Sequence, residues 1–132
     1  MMSRLGVWFM GVLARVPLPV LRAMGAALGR VLFVLVVPRR KVALRNLELC
    51  FPQASVEQRT QWARESFIVF CQTWLDRSWL WSAPQSVVEQ RVKLQGAVQE
   101  LDGDVPTIIF APHFYGLDAG GLVLPLRTSR AF

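Results

Sequence analysis

The chain has one histidine, one tyrosine and two cysteines in 132 residues, which closes off several kinds of chemistry at once. A zinc site needs about four nitrogen or sulfur ligands, and Cys50, Cys71 and His113 are too few and too scattered to supply them. Two separated cysteines do not make a disulfide framework, so both are expected to be small core residues in a reducing compartment. The nucleophile-elbow pattern G-x-S-x-G is absent, and no serine or cysteine accompanies the histidine, which leaves a hydrolase little support. Gly116, Gly120 and Gly121 do not have the spacing of a dinucleotide fingerprint, and no cofactor or metal is expected. Acidic residues are scarce as well. Nine Asp and Glu face fifteen Lys and Arg, a formal net charge of +6.

What is present is apolar and basic together. The hydrophobic fraction is 53%, the mean hydropathy is +0.35, and there are five tryptophans. That combination suits an anionic membrane surface better than nucleic acid, because indole favours the zone between headgroups and hydrocarbon. A basic soluble protein with a large core is the plainer alternative.

The length suits one domain, preceded here by a membrane-associating segment, 1–37, and continued through 38–132 by the body of the chain. Within 5–37, Arg15, Arg22 and Arg30 interrupt the apolar run, so no unbroken stretch reaches the ~18 to 20 residues of a simple spanning helix. On a continuous helix Arg4, Arg15 and Arg22 would form one basic stripe, as in a helix lying in the headgroup region, although Pro17 and Pro19 can reset the phase. Leu5 to Ala14 could also serve as the core of a signal peptide. The cluster Arg39, Arg40 and Lys41 favours an uncleaved segment, with the rest of the chain on the cytoplasmic side.

A helical pattern runs from Arg39 to Cys50 and stops at Phe51-Pro52, with Asn46 expected to brace a neighbouring loop. Ser55 to Gln58 reads as a capping box opening a long helix to about Trp81. Its Trp62, Phe67, Phe70, Cys71, Trp74 and Leu75 are expected to pack in the core, and Trp79 with Trp81 to line an apolar slot or touch lipid. Ser86 to Glu89 offers a second, poorer box. Arg91 to Gln95 alternates like a half-buried strand ended by Gly96, a short helix is expected near Ala97 to Leu101, and Asp102 to Asp104 is a turn. Thr107 to Ala111, bracketed by Pro106 and Pro112, reads as a strand buried on both faces. The expected fold is therefore α/β: membrane-associated helices, then the start of a sheet.

His113 comes directly after that strand, and Phe114, Tyr115 and Gly116 lead into a helix carrying Asp118. A strand end feeding a helix start is where open α/β sheets bind ligands. Five residues on one helix would turn the two side chains roughly 140° apart, so pairing needs a bend, which Gly116 is suited to give. Brought together, a neutral imidazole can take a hydroxyl proton while the carboxylate fixes its tautomer. Asp118 in a first helical turn is also well placed for the helix dipole. Gly120 and Gly121 would allow helix and sheet to approach closely.

His113-Phe-Tyr-Gly-Leu-Asp118 resembles the His-x4-Asp/Glu motif of glycerolipid-type acyltransferases. Upstream, Arg39-Arg-Lys-Val-Ala-Leu-Arg-Asn46-Leu-Glu-Leu-Cys-Phe51-Pro52 matches the basic, Asn-Leu and Phe-Pro pattern of the late lipid A acyltransferases (the lauroyl/myristoyl acyltransferase family) of Gram-negative bacteria. The two landmarks occur in the family's order. The resemblance implies the start of a glycerol-phosphate-acyltransferase-like α/β sheet. It also implies transfer of a fatty acyl group from acyl carrier protein to a hydroxyl of a lipid A precursor, at the cytoplasmic side of the inner membrane. His113 would be the base and Asp118 its orienter, with no covalent acyl-enzyme. Family sequence is not recognisable over Arg127 to Phe132, so a truncated and inactive copy is expected. The competing readings are a non-catalytic membrane-surface binding module and, third, an inner-membrane structural subunit.

Overall fold

In a computed structural model, the structure describes residues 2–96, 99 and 106–127. Among them are six helices: α1 (Met2–Leu13), α2 (Leu18–Leu35), α3 (Val37–Cys50), α4 (Val56–Ser82), α5 (Gln85–Arg91) and α6 (Leu117–Arg127). By its contacts the chain divides into two compact units, Val16–Asp76 and a second drawn from 1–15 and 77–132, the division falling inside α4.

Proline sets the joints of the first unit. Pro17 precedes α2, and α2 and α3 each carry a proline in the first turn, where the missing N–H costs no intrahelical bond. Arg15 lies in the turn between α1 and α2, its N–H reaching the Val12 carbonyl at 3.1 Å. Arg4, Arg15 and Arg22 therefore do not share the one continuous helix on which the basic stripe was expected. Two arginines of this unit have individual roles. Arg22 Nη2 pairs with Asp76 Oδ2 at 2.9 Å, compensating a carboxylate whose side chain is 10% exposed. Arg40 Nη1 donates to the Phe33 carbonyl at 3.1 Å near the C-terminus of α2, where carbonyls lack helical partners.

The core of this unit is built on close helix approach. Leu21, Gly25, Gly29 and Phe33 form the buried face of α2, and Ala63, Cys71 and Leu75 are buried on α4. A Cβ at Gly25 would stand 2.8 Å from the Gln72 Cα, and one at Gly29 only 2.5 Å from the Ile68 Cα. Only glycine lets two backbones meet this way. Gln72 Nε2 also donates to the Arg22 carbonyl at 3.0 Å, and the Phe33 and Phe67 rings meet edge-on with centroids 5.5 Å apart. The capping box expected at the start of α4 is formed. Ser55 N–H donates to Gln58 Oε1 at 3.0 Å, and Gln58 N–H returns to Ser55 Oγ at 3.2 Å. In that first turn Glu57 has its carboxyl held below the ordinary range, first by a bond to its own backbone and then by Ser55.

In the second unit Leu13, Ser78, Trp79, Leu80, Val88 and Val123 are buried. The Arg91 guanidinium lies 5.1 Å from the centroid of the Trp79 ring.

The α/β expectation is overturned. Among the described residues there is no strand, neither at Arg91 to Gln95 nor at Thr107 to Ala111. The backbone at Val92 is extended and Gly96 has φ +99°, but neither segment joins a strand ladder among those residues. A strand exists only through its neighbours' hydrogen bonds, and an apolar run is not enough to make one. Ile108 is 97% exposed and Phe110 88%, the reverse of a strand covered on both faces.

Smaller expectations change too. Ser86 lies inside α5, whose N-cap is Pro84 without a side-chain bond, so the second capping box is not used. Cys71 is buried as expected, but Cys50 is exposed. Of the α4 aromatics expected in the core, Phe70 and Trp74 stay largely exposed, while Trp79 is buried and Trp81 is 67% exposed. The helix expected at Ala97 to Leu101 and the turn at Asp102 to Asp104 lie outside the described residues.

One described helix, Leu18–Leu35, is long and apolar enough to cross a membrane, and 22% of it is buried inside the protein. It carries two charges, Arg22 and Arg30, which interrupt the run without making the helix polar.

Candidate functional site

The segment from Pro106 to Gly116 is exposed throughout and enters α6 through two tight turns. Phe114 N–H donates to the Pro112 carbonyl at 2.8 Å, and Leu117 N–H to the Phe114 carbonyl at 3.1 Å. The Gly116 carbonyl then accepts from both Ala119 and Gly120, each at 3.1 Å, which starts the helix. The bend expected between His113 and Asp118 is therefore present. It does not depend on glycine's special freedom, because Gly116 does not have a positive φ. Nor do Gly120 and Gly121 serve close approach, since a Cβ on either would meet nothing within 4 Å.

His113 is exposed on this bend and Asp118 is half-buried in the first turn of α6. The structure brings Asp118 to a different partner from the one expected. Arg77 Nε donates to Asp118 Oδ2 at 2.6 Å, with the two side chains 37% and 36% exposed. Among the described residues no hydrogen bond or ion pair joins His113 to Asp118. The Arg77 guanidinium also stands 5.8 Å from the Trp81 ring centroid.

Sequence reasoning did not single out Arg77, yet the chain carries a signal for it. Asp76 and Arg77 sit between Trp74-Leu75 and Ser78-Trp79-Leu80, and a charge inside an apolar helical run calls for a partner. Asp76 answers to Arg22 in one direction and Arg77 to Asp118 in the other. Two buried polar atoms nearby, Ser78 Oγ and Arg91 Nη1, have no hydrogen-bond partner among the described residues. No group of three or more His, Cys, Asp or Glu able to hold a metal occurs among those residues.

The site thus offers an exposed imidazole, a carboxylate at a helix start held by an arginine, and large apolar side chains around them. Phe110 is 88%, Phe114 74% and Tyr115 48% exposed.

Comparison with known proteins defines the class. The family model described as bacterial lipid A biosynthesis acyltransferase matches residues 1–131, and the chain belongs to that family. Among characterised relatives, the lipid A biosynthesis palmitoleoyltransferase of Escherichia coli (strain K12) is 30% identical over 126 residues, covering 90% of this chain and 41% of the relative. A lipid A biosynthesis acyltransferase of Shigella flexneri matches to the same extent. The lipid A biosynthesis lauroyltransferase of Escherichia coli (strain K12) is 33% identical over 63 residues, 48% of this chain and 21% of the relative. The chain thus spans 41% of the length of the first two relatives. No solved structure matches.

Proposed function

We propose that this chain carries the hydroxyl-activating part of an acyltransferase that moves a fatty acyl group from acyl carrier protein to a hydroxyl of a lipid A precursor. His113 is the general base and Asp118 its orienter. As the acceptor oxygen attacks the thioester carbonyl, the imidazole takes the hydroxyl proton. The carboxylate stabilises the imidazolium, with Oδ1 serving His113 while Oδ2 is held by Arg77. Collapse of the tetrahedral intermediate breaks the carbon–sulfur bond, and the imidazolium returns the proton to the departing thiolate. No covalent acyl-enzyme forms. Residues 1–37 associate with the inner membrane and the chemistry faces the cytoplasm.

The observation that carries this reading is the placement of the single imidazole. It stands exposed on the bend into α6, in a chain whose family is named for acyl transfer in lipid A biosynthesis. The chemistry rewards such exposure, because the base must reach a substrate hydroxyl.

A second reading, a non-catalytic membrane-surface module, draws on the apolar residues left outside. Leu5, Val7 and Trp8 on α1 are 65% exposed or more, and Val34 and Leu35 on α2 are 62% and 69% exposed. One assay separates the two. The protein, expressed from its complete reading frame in membranes lacking other such acyltransferases, is incubated with acyl carrier protein thioester and a lipid A precursor. The acyltransferase reading expects the acceptor to gain the mass of one acyl chain as the thioester is consumed. Membrane binding without any acylated product would reject it in favour of the surface module.

A further inference from the structure

The bend that places His113 is a short, open piece of chain. Its turns are closed by backbone bonds between near neighbours, and its side chains from Pro106 to Gly116 are exposed. Val123 is the fully buried residue of α6, and it lies more than a helical turn beyond Asp118. A carboxylate in that position would be free to sample several rotamers. An orienter that wanders orients nothing.

Arg77 supplies what is missing. It belongs to the most buried stretch of α4, where Leu75, Asp76, Ser78, Trp79 and Leu80 are each 7% exposed or less, so its backbone is held in place. Its side chain emerges from that stretch, passes near the Trp81 ring, and meets Asp118 Oδ2 through Nε at 2.6 Å. The contact runs from α4 to α6 across 41 residues of sequence. Arginine suits this task, because its planar guanidinium is always charged and fixes direction as well as distance. Among the described residues no hydrogen bond reaches Oδ1, the oxygen an imidazole would use.

Taking His113 as base and Asp118 as its partner, we propose that Arg77 is a positioning residue, holding Asp118 on α6 in the orientation that serves the imidazole. A partly exposed ion pair contributes little to stability. The contact therefore matters through geometry, since misplacing a catalytic group by about 1 Å can cost about 100-fold in rate.

The test is a double-mutant cycle on the protein expressed from its complete reading frame, with Arg77→Ala, Arg77→Lys, Asp118→Asn and the R77A/D118N pair. R77A is expected to lower kcat by about 10- to 100-fold with the KM for donor within about twofold, and R77K to recover part of the loss. In the Asp118→Asn background, Arg77→Ala should add less than about a twofold loss, because its partner is already gone. A full multiplicative loss in that background, or unchanged kcat in R77A, overturns the proposal. If the wild-type protein transfers no acyl group, the acyltransferase reading has failed. The contact is then decided by nitrogen-15 NMR of the Arg77 Nε–H. A slowly exchanging signal lost in D118N supports the positioning contact, and its absence from wild type overturns it.

Discussion

The glycine face of α2 and the segment from Pro106 to Gly116 are both strongly apolar, yet they have opposite fates. Around Gly25 and Gly29 the chain is packed until backbone meets backbone, with 2.5 Å between a built Cβ and the Ile68 Cα. Around Ile108 and Phe110 the same kind of side chain stands in the open, 97% and 88% exposed. Hydrophobicity is common to the two, so it does not explain the difference. A helix closes its own backbone hydrogen bonds and then needs only one packed face. An extended segment has to borrow ladder partners from a neighbouring strand, and there is no strand among the described residues. Helical parts of this protein are shaped locally. The segment carrying His113 has no such regular frame, and tight turns lead it into the helix beyond.

The comparison breaks most visibly at Gly29. Replacing a helical glycine by alanine normally stabilises by about 1 kcal/mol through propensity. At Gly29 the new methyl would also stand 2.7 Å from the Ile68 N and 2.8 Å from the Phe67 O, which are backbone atoms with no room to yield. Overpacking should win, and Gly29→Ala should destabilise by about 2 kcal/mol net in chemical denaturation followed by circular dichroism. A stabilised variant would mean that α2 and α4 do not approach as described.

The two thiols give a second, kinetic contrast. Cys50 is exposed, whereas Cys71 is buried and its thiol is pushed up by desolvation. With a disulfide reagent near neutral pH, Cys50 should react at least about tenfold faster, and Cys71 should keep pace only after the helices open. Equal rates in the folded protein would place Cys71 outside the core.

The smallest effect belongs to the open segment. Ile108→Ser and Phe110→Ser should each change stability by less than about 0.5 kcal/mol, because neither side chain has cover to lose. A loss of about 2 kcal/mol from either in the same denaturation experiment would mean that the segment packs against something after all.

How far the sequence can be read obeys the same division. The capping box at Ser55, the stop at Phe51-Pro52 and the proline joint near Pro17 are local signals and are formed as expected. A strand at Thr107 to Ala111 is a non-local inference drawn from composition, and the neighbours it requires are not found among the described residues. The close approach at Gly25 and Gly29 is legible as two glycines four apart on one helix, but charge and apolar stripes do not reveal it. At the candidate site the bend before Asp118 is foreseeable from the incompatibility of one helix with a His–Asp pair. Its partner Arg77 is not, because an ion pair spanning 41 residues leaves no periodic trace in the chain. Only the oddity of a charge amid tryptophans points that way.

The rate of acyl transfer by the His113→Ala protein, compared with wild type at matched helical content, tests the proposed mechanism most directly. His113 is exposed, so its loss should leave the fold and its melting intact. If the imidazole takes the acceptor's proton, turnover should fall by about 100-fold or more. Turnover within about twofold of wild type would contradict that assignment, since truncating a working general base costs far more than that.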